Sequence, residues 1–242
     1  MEKKVYERHI KNQKTHWWFS VRRDLIFKFL KKYSKKKKIK ILDYGCGSGT
    51  NISVLTKLGQ VHCYEKDYKT SRYLSLKYKK NRKVAVIKQI KKTLKYDCII
   101  LADVLEHIKN DKQALNNLRK NLKPKGLILL TIPAYNYLFS KKDIILKHYR
   151  RYSFNQIKNL VSKNFKVLRI TFFNTFLFVP IALITLVLKF LKVDYIEKVE
   201  NTPNKFINNL LMSIFKAELF FLKYIDFPFG VSIIIIGEKK NF

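Results

Sequence analysis

Between residues 38 and 49 the chain reads KIKILDYGCGSG, an apolar run that ends in an acid and passes directly into three glycines at alternate positions. The whole chain of 242 residues has only seven glycines. Three of them within five positions mark a place where the backbone must turn sharply, or approach something that side chains would block. Asp43 stands at the tip of the apolar run, and Gly45, Cys46, Gly47 and Gly49 make the turn. NISVLTKL (51–58) follows with helical apolar spacing and stops at Gly59. Strand, glycine turn and helix form the opening unit of a doubly wound sheet, which binds ligands at the carboxyl ends of its strands.

The rest of the chain continues the alternation. VHCYE (61–65) reads as a second strand, 68–80 as a surface helix, and VAVIK (84–88) as a third strand. YDCIILAD (96–103) has the unbroken apolar centre of a strand buried on both faces. A helix over 111–121 ends before the turn KPKG, and GLILLTIP (126–133) is the fifth strand. SFNQIKNLVSK (153–163) is a helix opened by Ser153, and FKVLRITFF (165–173) and VSIIIIGEKK (231–240) are the last strands. The pattern predicts an α/β fold with a doubly wound, mostly parallel, seven-stranded sheet in a single domain. Its parts are an N-terminal helical cap (1–37), a cofactor-binding core (38–173), an apolar helical insert (174–229), and the last strand with its tail (230–242). With 47% hydrophobic residues the chain can bury a sizeable core.

Charge limits the partners. Lys and Arg number 51 against 17 acids, a formal net charge of +34. Such a field attracts phosphates on nucleic acid or on an anionic membrane face. Lysine dominates, though, and Ile, Asn, Phe and Tyr are also abundant, as an A+T-rich coding sequence produces. Runs such as KKYSKKKK (31–38) read as solvated faces, and arginine-poor surfaces are poor base readers, so nucleic acid is the less favoured partner. The three cysteines have no framework spacing and MEKKVYERHI has no apolar signal region, so the expected location is the cytoplasm. Seven of the 17 acids fall between residues 43 and 111, most of them near the ends of apolar runs.

One of these, Glu65, closes the second strand twenty residues after Gly45, where a carboxylate accepts hydrogen bonds from the ribose hydroxyls of a nucleoside cofactor. Dinucleotide folds want G-x-G-x-x-G beneath a pyrophosphate; here the spacing is G-x-G-x-G, after an acid that would repel one. Asp43 suits the cationic end of S-adenosylmethionine instead. Through ILDYGCGSG, Glu65 and LADVLEHI (101–108), the sequence resembles the class I S-adenosylmethionine-dependent methyltransferases. The resemblance implies a Rossmann-like fold in which Gly45, Cys46, Gly47 and Gly49 border the methionine and ribose. It sets Asp43 near the amino group, Glu65 on the ribose, and Ala102 and Asp103 on the methionine side. Many relatives carry an acid after strand three; IKQIKKT (87–93) has none, so adenine contacts fall to Gln89 or to backbone.

Methyl transfer mainly needs alignment, so positioning alone is one route; a base near neutral pKa for an oxygen or nitrogen acceptor is the other. His107 in DVLEHI and His148 in LKHYRRYS are the candidates, His107 being as well suited to orienting its loop. Tyr149, Arg150, Arg151 and Tyr152 around His148 read either as a clamp for phosphate or carboxylate or as a cationic surface loop. No residue is assigned to a metal.

THWWF with the following RR, IPAYNYLF, HYRRYSF and PFGVSIII resemble a bacterial methyltransferase subgroup associated with membrane or envelope glycan chemistry. That resemblance lays the N-terminal helix over the mouth of the cofactor pocket. Trp17, Val21, Leu25 and Phe29 make one apolar stripe along it. Trp18, Phe19, Tyr135, Arg150, Arg151 and Tyr152 become the acceptor-side residues. A helix simply docked on the sheet is the alternative.

FFNTFLFVPIALITLVLKFL (172–191) has one charge in twenty residues, long enough to span a bilayer. The flanking strands must share one sheet, however, and the return segment 206–229 is amphipathic, so a hairpin is expected on one leaflet or over the site, with Pro180 kinking its first arm. A buried core or dimer interface is the competing reading, and the oligomeric state stays open. The expected activity is O-methylation of a membrane-associated small molecule or lipid-linked glycan, with the protein peripheral on the inner membrane face. RNA methylation and a non-catalytic membrane-binding role are the alternatives, and glycine spacing disfavours a nicotinamide enzyme.

Overall fold

The computed structural model describes residue 12 and residues 15–191 and 203–240. The expected strands form one seven-stranded sheet: β1 (Ile39–Tyr44), β2 (Gly59–Tyr64), β3 (Val84–Ile87), β4 (Tyr96–Ala102), β5 (Leu122–Pro133), β6 (Phe165–Phe173) and β7 (Ser232–Lys239). Their spatial order is β3-β2-β1-β4-β5-β7-β6, and only β7 runs antiparallel to its neighbours. This is the Rossmann-like, mostly parallel architecture that the alternation predicts. The order reverses between β1 and β4, where Asp43 lies level with Ile100, and it is above such strand tips that sheets of this kind form their ligand crevice.

Two apolar layers cover the sheet. On one face the N-terminal helix α1 (Trp17–Tyr33) buries Val21, Leu25, Ile26, Phe29 and Leu30. The short α2 (Ile52–Leu55) and α3 (Tyr68–Lys77) complete that side. On the other, α4 (Asp111–Lys120) contributes Leu115 and Leu118, and α6 (Phe154–Ser162) contributes Ile157 and Val161. A five-residue helix, α5 (Lys141–Ile145), lies between them in sequence. All three cysteines are free and buried.

The insert holds α7 (Phe178–Phe190) and α8 (Lys205–Phe221). Because β6 and β7 pair, both ends of the insert emerge at the carboxyl edge of the sheet. Pro180 sits in the first turn of α7, where its fixed φ is tolerated, so it opens the helix and does not kink it. Residues 192–202 of the expected hairpin lie outside the described residues, as does the N-terminal stretch read for a signal peptide. Among the described residues no helix is long and apolar enough to cross a membrane.

One face of α8 belongs to the core. Glu218 is buried and accepts hydrogen bonds from the amides of Asn174 (2.5 Å), Thr175 (2.6 Å) and Phe176 (3.1 Å), which closes off the end of β6. Asn208 accepts from the amide of Trp17 (2.9 Å) and donates to the carbonyl of Thr15 (3.0 Å), holding the start of α1. The two tryptophans complete the joint. Trp18 stacks on Phe173 and Phe215 at 5.7 Å each, and Trp17 meets Phe215 edge-on at 6.0 Å. Trp18, expected at the acceptor site, is therefore part of an aromatic stack that fastens the insert to α1 and the sheet.

Candidate functional site

The glycine loop passes from β1 toward α2 with Gly45 at φ 69° and Gly47 at φ 52°. A Cβ on Gly45 would lie 2.8 Å from the side chain of Val104, so this position has neither the room nor the backbone for another residue. A Cβ on Gly47 would meet nothing within 4 Å, which leaves the loop backbone open to a ligand. Glu65, just past β2, is tied to the loop: Oε2 accepts from the Gly47 amide and Oε1 from the Asp67 amide, both at 2.9 Å. Each oxygen keeps lone-pair capacity for a further donor.

Asp43 is 1% exposed, and among the described residues neither of its oxygens has a partner in full hydrogen-bond geometry. Burial pushes its pKa up to about 7, against the pull of the Arg22 charge and the nearby Asn51 amide. A buried carboxylate in this state is completed by a cation or a strong donor. Asp103, beyond the end of β4, holds a left-handed φ of 55°. Its Oδ1 accepts from the Thr131 hydroxyl (2.7 Å), and Oδ2 forms an ion pair with Arg22 of α1. Ala102 ends β4, and Gln89 lies exposed just beyond β3. An open loop backbone with carboxylates at three strand tips fits the cationic nucleoside cofactor expected from the sequence.

The two histidines meet. Their ring centroids are 4.5 Å apart and the rings nearly perpendicular. His148 Nδ1 lies 2.8 Å from Asp143 Oδ1, and a hydrogen bond links the His107 ring to the Lys147 backbone. His107 keeps an exposed edge, yet the burial of its ring and the neighbouring His148 bring its pKa down to about 4. It is neutral at physiological pH and a weak base there. Asp143 is held at about 2: burial opposes ionisation, but the bonds to His148 and Arg151 outweigh it. Glu106 is fully buried, among the described residues without a partner beyond its own backbone on either oxygen, and burial, then the Asp103 charge, raise its pKa well above the carboxylate range. Sequence reasoning did not single out Glu106 or Asp143. Both are acids in a chain poor in acids, which was the available signal.

The expected anion clamp is engaged within the chain. Arg150 binds Asp111 (2.8 Å) and the Lys109 carbonyl (2.7 Å), Arg151 binds Asp143 (2.9 Å), and the buried Tyr152 hydroxyl donates to Asp111 (2.9 Å). The arginines thus grip carboxylates, as their chemistry suggests, but those carboxylates belong to the protein itself. Tyr135 follows β5 at φ 61°, stacks on Phe172 (5.4 Å), and lines a cleft of about 630 Å³ with Phe154, Phe172 and Phe227. Phe19, half-buried, lies 5.5 Å beneath the Arg22 guanidinium, on the Asp103 side of α1.

A family model described as a methyltransferase domain matches residues 17–168, from α1 into β6. The chain belongs to that family. Within it, the chain is similar to a ubiquinone biosynthesis O-methyltransferase of Rickettsia bellii, 27% identical over 117 residues, which are 44% of this chain and 47% of the relative. The chain therefore matches about half the length of that relative. An uncharacterised protein of Methanocaldococcus jannaschii is 27% identical over 164 residues, covering 65% of this chain and 68% of its own. Solved methyltransferase-domain structures share the fold. A putative sarcosine dimethylglycine methyltransferase from Galdieria sulphuraria aligns with a TM-score of 0.59 at 14% identity, over 90% of this chain and 85% of that one. A putative methyltransferase from Bacillus halodurans gives 0.57 at 14% identity, over 88% and 98%.

Proposed function

We propose that the chain transfers a methyl group from S-adenosylmethionine to an oxygen of a small amphipathic acceptor held at a membrane surface. The observation that carries this reading is the point between β1 and β4 where the strand order reverses: Asp43 lies near the end of one strand, Asp103 follows the other, and Glu65 binds the glycine loop, whose Gly47 is open. S-adenosylmethionine supplies an electrophilic methyl there. Asp43 holds the cationic end of the cofactor, Glu65 takes the ribose hydroxyls, and Asp103, steadied by Arg22 and Thr131, borders the methionine side. As its oxygen takes the methyl, the acceptor hydroxyl loses its proton to solvent, with the His107–His148 pair orienting it.

The acceptor class is inferred from what surrounds the crevice. The aromatic cleft around Tyr135 lies at the carboxyl edge, beside the insert. On α7, Val179, Leu183, Ile184, Val187 and Phe190 are all exposed. That apolar surface on a chain of +34 net charge suits an anionic membrane, toward which each nearby Lys or Arg contributes roughly 1 kcal/mol. The match to ubiquinone biosynthesis O-methyltransferases supports an acceptor with a phenolic head and an apolar tail. Incubation with methyl-labelled S-adenosylmethionine and vesicles carrying a polyprenylated catechol should move label into the organic phase. Label transfer to RNA alone would replace this reading with the RNA methyltransferase alternative.

A further inference from the structure

The His107–His148 pair has a third member. Glu106 Oε, a His107 ring nitrogen and a His148 ring nitrogen all lie within 4.8 Å of one another. Three ligands about 2.1 Å from one ion sit about 3.4–3.6 Å apart, so these atoms need to close by at most about 1.4 Å to share one, within reach of side-chain rotation. Glu106 and His107 come from the 3-10 turn Leu105–His107 after β4, and His148 from the segment after α5. Tyr149 binds the two segments together, its amide donating to the Glu106 carbonyl (2.8 Å).

Three features distinguish this cluster from a base with a helper. Glu106 is completely buried, yet among the described residues neither oxygen has a hydrogen-bond partner beyond its own backbone. Such a carboxylate is costly unless something cationic reaches it. His148 spends one nitrogen on Asp143 (2.8 Å), which directs the other away from that carboxylate. His107 is likewise held by the Lys147 backbone. Histidines that ligate metals carry this outer contact, a carboxylate or carbonyl on one nitrogen with the metal on the other. A proton-accepting pair would need neither the second outer contact nor a buried acid.

We propose that Glu106, His107 and His148 bind one divalent transition-metal ion of the zinc type, with Asp143 and the Lys147 carbonyl as the outer contacts that aim the two imidazoles. Two imidazoles and one carboxylate suit zinc, manganese or cobalt, whereas magnesium and calcium prefer all-oxygen sites. Three protein ligands leave a coordination position for a water or a substrate oxygen. The ion would stand beside Asp103 at the carboxyl edge. What it does for an acceptor hydroxyl rests on the proposed methyl transfer; that it binds does not.

The test uses the full chain stripped with chelator. Zn²⁺ is titrated by calorimetry, and Co²⁺ by its visible absorption. Wild type should take up one equivalent, with a Co²⁺ spectrum of nitrogen and oxygen ligation. His107→Ala should lose affinity by more than about 100-fold, and Asp143→Asn by about 10- to 100-fold although it removes no ligand. His107 is exposed, so its variant tests the site even if a change at His148 disturbs folding. S-adenosylmethionine binding is measured on each variant in parallel. Retained cofactor binding with no metal uptake by wild type would overturn the ion site while leaving the methyltransferase reading intact. Equal affinity in wild type and His107→Ala, or a thiolate charge-transfer band placing the ion on Cys46 and Cys63, would also overturn it.

Discussion

Arg22, on the buried side of α1, pairs with Asp103 at the tip of β4, so the N-terminal helix reaches the crevice with a charge. The Arg22 side chain is 7% exposed and that of Asp103 24%. Breaking a buried pair by removing one partner costs roughly 3–5 kcal/mol, and the partial exposure of Asp103 puts this one near 3. Arg22→Ala should lower urea-unfolding stability by about that amount. It should also weaken S-adenosylmethionine binding, because Arg22 helps keep Asp43 ionised. Unchanged binding would show that α1 covers the site without tuning it.

Asp43 carries a pH signature. Its folded pKa of about 7 lies above the ordinary aspartate value of 3.8, so its burial costs nothing below pH 4 and progressively more as pH rises toward 7. About three pKa units correspond to at most about 4 kcal/mol. Asp43→Asn should therefore be more stable than wild type at pH 8, by roughly 2–4 kcal/mol, and nearly equal to it at pH 4. The same variant should lose cofactor binding. Thermal unfolding at the two pH values checks the first part, and equal gains at both would refute it.

Both tryptophans contact Phe215, so intrinsic fluorescence reports the docking of α8 on α1. Phe215→Ala should cost about 3–5 kcal/mol and red-shift the emission. Fluorescence unchanged from wild type would mean that the aromatic stack does not depend on the insert.

The membrane reading is tested on α7. Ile184 and Val187 are 57% and 53% exposed and make few demands on the core. Ile184→Glu with Val187→Glu should leave the unfolding midpoint within about 2 °C, while abolishing flotation with anionic vesicles. Flotation of wild type itself should fall as salt rises. Equal flotation of the double variant would assign the contact to lysines elsewhere.

Much of this was legible in the sequence because buried strands write long apolar runs. YDCIILA and GLILLTIP lie within strands whose limits moved only slightly, apart from β5, which starts earlier, at Leu122. Glycine scarcity likewise exposed the loop at residues 45–49. What stayed hidden depends on partners distant in sequence. Nothing near Trp18 announces Phe215, and nothing in HYRRYS reveals that Asp111 and Asp143 already occupy its arginines. The convergence of Glu106 with His148 is similarly a product of tertiary packing. Pro180 misled for a local reason, since its effect depends on where a helix begins.

The most direct measurement is calorimetric titration of S-adenosylmethionine into wild type and Glu65→Ala, with and without anionic vesicles. Glu65 is half-buried and, among the described residues, tied only to the amides of Gly47 and Asp67, so its replacement should leave the fold intact. Micromolar binding by wild type, weakened about 10- to 100-fold in the variant, is the expected result, because two hydrogen bonds to a charged group are lost. No binding by wild type under either condition would contradict the assignment of the crevice above β1 and β4 as a methyl-donor site.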